Sequence, residues 1–206
     1  MFDGYWRDAV ERRVDPVGAA MHRAGLRANA LTAGGVVAAL GVAVAVAAGH
    51  LRTGFVLFLV AAAADLLDGP VAKAHGVTTV RGAFFDSTAD RVSDTLVLGG
   101  ITWHLVAEDR GLLAMVPVGV MAASWLISYQ RAKAESLRLD AKGGIMERAE
   151  RMVVLGVGLA VPPLLVPVLW LMLALTVVTA AQRFAKVWRQ ASVPPDRIGR
   201  ADHPTR

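Results

Sequence analysis

Six apolar blocks, each about as long as a bilayer-crossing helix, occupy most of this 206-residue chain, at about 30–49, 53–74, 86–107, 112–134, 147–163 and 164–186. A helix needs roughly 20 apolar residues to cross a hydrocarbon core. Within lipid it satisfies its own backbone polar groups, which an open strand or loop cannot do. The expected fold is therefore all-α: a polytopic membrane bundle of six transmembrane helices. With 55% hydrophobic residues and 19% charged ones, disorder is excluded and an ordinary soluble domain is disfavoured. Pro162 and Pro163 stand between the fifth and sixth blocks, where a helix cannot continue through both, so a tight re-entry is expected there. The chain has no cysteine, which removes disulfides, thiolate metal sites and a Cys nucleophile. Any metal must be held by oxygen or imidazole.

Ahead of the first block, Trp6, Val10, Val14, Val17 and Met21 recur at helical spacing around Pro16. This predicts an N-terminal amphipathic helix at the membrane surface, with packing against the domain as the competing arrangement. Asp3, Arg7, Asp8, Arg12, Arg13 and Asp15 make the segment too charged for the core of a signal peptide. The expected organisation is a juxtamembrane amphipathic helix over 1–29, a six-helix membrane domain over 30–190 and a tail over 191–206. Of the 22 Lys and Arg residues, all but Arg52 and Arg110 fall on one side of a six-span layout. By the positive-inside rule that side is cytoplasmic, so both termini are expected there, in a multi-pass protein of the cell membrane. The net charge of +5 is then mostly topological. With no aromatic-basic platform behind it, the expected partner is the lipid bilayer and not nucleic acid.

The chemistry is concentrated in one stretch of 30 residues that holds Asp65, Asp68, Asp86, Asp90 and Asp94. Spacings of three and four place each set on one face of its helix, so two carboxylate faces can meet across a helix pair. Ionised carboxylates in a low-dielectric site repel one another unless positive charge compensates them, and divalent cations are the natural compensation. Oxygen-only ligation suits Mg²⁺ or Mn²⁺. Two other readings compete. The acids could serve as helix caps and ion-pair partners at the membrane edge, or they could mark the path of an ion or proton transporter. Against transport, they lie near span ends among Gly69, Gly76, Gly82, Thr78 and Thr79, a setting better suited to close approach of a phosphorylated ligand.

The series Asp65, Asp68, Gly69, Ala72, Lys73, Gly82, Asp86 and Asp90 resembles the signature of the CDP-alcohol phosphatidyltransferases. The departure is Lys73, where that family usually has Arg; charge is kept and the two-pronged contact is lost. The resemblance implies two-metal phosphoryl transfer with two Mg²⁺ (or Mn²⁺) ions per site. Asp65, Asp68, Asp86 and Asp90 would be metal ligands, and Asp90 would also be the catalytic base toward the acceptor hydroxyl. Asn29, Ala30, Leu31, Thr32, Gly69, Lys73 and Thr79 match positions that contact CDP-diacylglycerol. Asp94 shares the face but lies outside the pattern, and is expected to be a bystander. Family members are commonly homodimers, which the resemblance extends to this chain.

Arg131, Lys133, Arg148, Arg151 and Arg183 could converge beside the acidic site, or could simply be positive-inside residues with Glu135, Glu147 and Glu150 as surface partners. Their stretches resemble those of actinobacterial phosphatidylinositol-phosphate synthases, which implies that they hold the phosphate of an inositol phosphate acceptor. The implied reaction moves the phosphatidyl group of CDP-diacylglycerol to D-myo-inositol 3-phosphate, releasing CMP in phospholipid biosynthesis. Glycerol 3-phosphate is the alternative acceptor, which would make the enzyme a phosphatidylglycerophosphate synthase.

Overall fold

The computed structural model describes residues 15–21, 23–74 and 79–192, and every regular element among them is helical. Six long helices follow one another: α1 (Ala28–Ala47), α2 (Leu51–Ala74), α3 (Val80–Ala107), α4 (Met115–Ser136), α5 (Arg148–Ala160) and α6 (Leu165–Ala191). A 3₁₀ turn over Pro162–Leu164 joins the last two, so the paired prolines do break the chain where expected. Three stretches, Ala28–Ala47, Leu51–Ala74 and Pro162–Ala191, are long and apolar enough to cross a membrane. Most of each stretch stays outside the bundle interior, which leaves large apolar surfaces facing outward, as a membrane protein requires.

The helix ends follow from local chemistry. At the end of α1, Gly49 (φ 82°) takes the left-handed conformation, while the Gly49 and His50 amides donate to the Val46 and Ala45 carbonyls at 2.9 and 2.8 Å. This closes the last turn with its carbonyls satisfied. Asp109 and Arg138 end α3 and α4 in the same way, with φ of 56° and 59°. At the start of α3, the Thr79 side chain accepts from the Gly82 amide at 3.0 Å, an N-cap. The helix therefore begins six residues before the apolar block that announces it, and carries Arg81 and Asp86 in its first two turns.

Packing places α1 against both α2 and α3, α6 against α4 and α5, α3 against α4, and α2 against α5. The core between them includes Val42, Val46, Ile101, Leu105, Val120, Leu159, Leu169 and Met172, all 2% exposed or less. At the α1–α3 crossing the backbones are in direct contact. A Cβ on Gly100 would lie 2.6 Å from both the Cα and the carbonyl oxygen of Ala43. Gly100→Val should therefore force α1 away from α3 and destabilise the bundle by at least about 1–3 kcal/mol, seen as a lower unfolding temperature in detergent. Unchanged melting would show that this crossing is not tight in the folded protein.

Of the expected surface helix, Trp6, Val10 and Val14 lie outside the described residues. Residues 15–21 are helical, and their contact with the bundle is Gly18, buried against Pro70 of α2. Val17, expected on the apolar face, is 47% exposed.

Candidate active site

The carboxylates come from α2 and α3, and their convergence starts with helical spacing. Asp65 and Asp68 lie one turn apart, just before Pro70, whose missing N–H interrupts the α2 ladder at this level. Asp68 is 9% exposed and accepts from Thr32 Oγ1 of α1 at 2.8 Å, a bond that fixes its rotamer. Asp86, one turn into α3, completes a group in which one oxygen from each of Asp65, Asp68 and Asp86 lies within 4.8 Å of the others. Oxygens around one Mg²⁺ at about 2.1 Å are at most about 4.2 Å apart, so this trio needs only a small closure to hold a hard divalent cation. The donor set is all oxygen, with no sulfur or imidazole, which fits that class of ion.

Arg148, the first residue of α5, enters this cluster from the opposite side. Its Nη1 donates to both oxygens of Asp65 at 2.7 and 2.6 Å, and its Nη2 lies 3.0 Å from Asp90 Oδ1. The other Asp90 oxygen faces Arg91 at 3.3 Å. One turn further along α3, Asp94 pairs with Arg151 at 3.4 Å and lies 3.8 Å from Arg148 Nε. Asp94 is therefore no bystander: it anchors the two arginines that face the acids. These groups open onto a cavity of about 50 Å³, which continues toward the core residues Val97, Val120 and Met172.

The five basic residues do not share one place. Arg148 and Arg151 join the acidic cluster. Arg183 is 5% exposed and donates to the Ile127 and Gly143 carbonyls and to Glu147 Oε1 at 3.2, 3.1 and 2.8 Å. Arg131 pairs with Glu135 at 2.9 Å on the exposed surface, and Lys133 is also exposed. Of the positions expected to contact CDP-diacylglycerol, the structure brings Thr32 to the cluster. Thr32 is engaged with Asp68 and Thr79 with Gly82, while Asn29 and Ala30 are exposed and Leu31 is half-buried. Gly69 faces open space, where a phosphate or a sugar can come close to the backbone, and Lys73 lies in the last turn of α2.

One feature of the site has no counterpart in the motif. Four α6 side chains, Thr179, Arg183, Lys186 and Gln190, clamp the loop that delivers Arg148. Thr179 Oγ1 accepts from the buried Met146 amide at 2.9 Å, and Lys186 Nζ donates to Asp140 at 2.7 Å. Gln190 accepts from the Asp140 amide at 3.0 Å and donates to its carbonyl at 2.6 Å. The Lys186 bond, with one from the Lys142 amide, holds the Asp140 carboxyl below its ordinary range. Spacings of four, three and four were readable as one polar stripe on an apolar helix.

The described residues thus form an all-helical bundle with membrane-length segments and three clustered carboxylates able to hold a hard cation. Residues 26–182 match the family CDP-alcohol phosphatidyltransferase, and the chain belongs to that family. It is 35% identical to the phosphatidylinositol phosphate synthase of Mycobacterium marinum over 198 residues, covering 88% of this chain and 82% of that protein. To the archaetidylinositol phosphate synthase of Methanothermobacter thermautotrophicus it is likewise 35% identical, over 90% of this chain and 93% of that one. The fold matches the crystal structure of Mycobacterium tuberculosis phosphatidylinositol phosphate synthase with CDP-DAG bound (TM-score 0.79, 30% identity), over 95% of this chain and all of the other. A second structure of that enzyme, in complex with manganese and citrate, matches with a TM-score of 0.78 and 30% identity, over 93% of each chain.

Proposed function

We propose that this chain transfers the phosphatidyl group of CDP-diacylglycerol to D-myo-inositol 3-phosphate (1L-myo-inositol 1-phosphate), giving phosphatidylinositol phosphate and CMP. The observation that carries this reading is the pairing of charges in one cavity, where four acids face the half-buried Arg148 and the buried Arg151. A nucleotide donor alone gives the acids a cation to bind but leaves the arginines without a task; an acceptor that carries a phosphate gives them one. The relatives' names support the same acceptor. A phosphatidyl and an archaetidyl enzyme differ in the lipid they carry and share inositol phosphate.

Asp65, Asp68 and Asp86 would hold one cation, and Asp90 would join them for a second, with Mg²⁺ or Mn²⁺ as the ion. Bound there, the cations supply positive charge against the pyrophosphate and the developing charge on departing CMP. Asp90 takes the proton of the acceptor hydroxyl at a carboxylate oxygen, being the acid on α3 nearest Arg148. Thr32 keeps Asp68 turned toward its neighbours. Gly69, Lys73, Thr79 and the segment Asn29 to Leu31 face the nucleotide end of the donor, with Lys73 as a point charge for phosphate. Arg148, Arg151 and Arg183 serve the acceptor phosphate, with Arg131 and Lys133 at the outer edge.

The bundle spans the cell membrane, α5 reaching only part of the way across, with both termini and the site on the cytoplasmic side, supported by the placement of all Lys and Arg except Arg52 and Arg110. The chain divides into a juxtamembrane segment over 1–29, the membrane domain over 30–190 and a tail over 191–206, in a homodimer as the family resemblance implies.

The test is to incubate purified protein with CDP-diacylglycerol and a panel of alcohols, with and without Mg²⁺ or Mn²⁺, and to identify the lipid product. Cation-dependent CMP release with inositol phosphate is expected, abolished by EDTA and restored by excess cation. Faster turnover of glycerol 3-phosphate would reassign the acceptor, and full activity after exhaustive chelation would overturn the metal-dependent mechanism.

A further inference from the structure

We infer that the Arg148 guanidinium is a resident counter-cation that holds the place of one divalent ion between Asp65 and Asp90, and leaves it when the site loads fully. This rests on the proposed reading of the Asp cluster as a divalent-cation site. Both oxygens of Asp65 accept from Arg148 Nη1, and Asp90 Oδ1 faces its Nη2 at 3.0 Å. Because Arg91 takes the remaining Asp90 oxygen at 3.3 Å, both Asp90 oxygens are committed to arginines. An ion placed between Asp65 and Asp90 takes the space that the Arg148 guanidinium fills, because that group touches both acids.

The trio Asp65, Asp68 and Asp86 does not include Asp90. It shares only Asp65 with Arg148, and a carboxylate oxygen can ligate a cation while it accepts from a guanidinium. A first ion can therefore sit on the Asp68 and Asp86 side with Arg148 still bridging Asp65 and Asp90. An ion between Asp65 and Asp90 takes the guanidinium's own place, which makes the two loading steps unequal. Arg148 Nε is buried and makes no hydrogen bond, its nearest acid oxygen being that of Asp94 at 3.8 Å. The side chain is thus held by the two acids it would surrender and has an unused donor for a third partner. A phosphate entering beside Arg151 supplies that partner, so the second ion and the anionic acceptor assist each other's binding. The device also accounts for how so many acids coexist before any ion arrives, since like charges in a low-dielectric site need a cation beside them.

The experiment is calorimetric titration of Mn²⁺ into the full-length protein in detergent, with the bound ion followed by electron paramagnetic resonance. Wild type is expected to show one strong and one weak site, the weak one strengthened by inositol phosphate or inorganic phosphate. Arg148→Gln should tighten the weak site by about tenfold or more, and the strong one, which shares only Asp65 with Arg148, by clearly less. Arg151→Gln removes the same charge but touches only Asp94 among the acids, so it should not reproduce the gain. In the absence of metal, Arg148→Gln should melt below wild type and recover with Mn²⁺. If that variant does not fold, Arg148→Lys, which keeps the charge and loses the fork, should show part of the same gain.

Equal gains in the Arg148 and Arg151 variants would overturn the inference in favour of a general field effect. Both sites staying within about twofold of wild type in the Arg148 variants would also overturn it. Absence of Mn²⁺ binding in wild type and variants alike would instead overturn the metal reading itself.

Discussion

Asp90→Asn should abolish phosphatidyl transfer while leaving the bundle folded. The amide cannot take a proton from the acceptor hydroxyl, and loss of a positioned base costs about 10²–10⁴ in rate. It also weakens any cation that uses Asp90, so the combined loss should be at least about 10³-fold in CMP release. Folding survives because the substituted carboxamide keeps an oxygen for Arg148 Nη2, which lies 3.0 Å from Asp90 Oδ1, while one negative charge leaves a crowded site. Melting within a few degrees of wild type is the accompanying expectation. Retention of a tenth or more of the activity would remove Asp90 from the role of base. Asp94→Asn should act differently: it loosens Arg151 and Arg148 and so weakens acceptor use, without removing the base.

The second large effect is expected at Arg183. Replacing it by Ala removes the donors to Ile127, Gly143 and Glu147 and frees the loop that leads into Arg148. Loss of one charge-assisted phosphate contact, the role proposed for Arg183, costs about 1.5–3 kcal/mol, so the apparent KM for inositol phosphate should rise roughly ten- to a hundredfold. The KM for CDP-diacylglycerol should change little, because in the proposed reading the donor is held by α2 and the start of α3. Arg148→Ala should belong to the same class. Arg131→Ala should be milder, since that side chain's partner is an exposed glutamate one turn away, and Arg138 on the loop should be nearly silent. A change confined to the KM for CDP-diacylglycerol would move these arginines to the donor side.

What the sequence revealed and what it hid divide along the range of the interaction. Asp65, Asp68, Asp86 and Asp90 were legible because the spacing that aligns them is local, three or four residues within one helix. Hydropathy located the apolar blocks but misplaced the start of α3, since it reports preference for lipid while a helix persists wherever its backbone bonds are made. Thr79 starts that helix among charged residues for a reason of capping alone. The partner of Asp65, Arg148, lies 83 positions away, a contact set by how α5 crosses α2. No periodicity encodes such a crossing. Asp94 looked idle for the same reason, because Arg151 comes to it from another helix. The five basic residues were separable only by burial: Arg151 and Arg183 are enclosed, and Arg131 and Lys133 are not.

The length of α5 sets the depth of the site. Its 13 residues span about 20 Å, against a hydrocarbon core of roughly 30 Å. Its far end leads into Pro162, which lines one shallow hollow with Gly49, His50 and Arg52 at the α1–α2 turn. In the proposed membrane arrangement, with that end at one interface, Arg148 and the acids it touches would sit about 10 Å beneath the other. A water-soluble phosphate must therefore descend below the headgroup layer, whereas a lipid diphosphate starts near that layer and needs only a local dip. Bilayer thickness then becomes a rate variable: thicker membranes lift the lipid headgroup away from the carboxylates, and thinner ones lower it toward them.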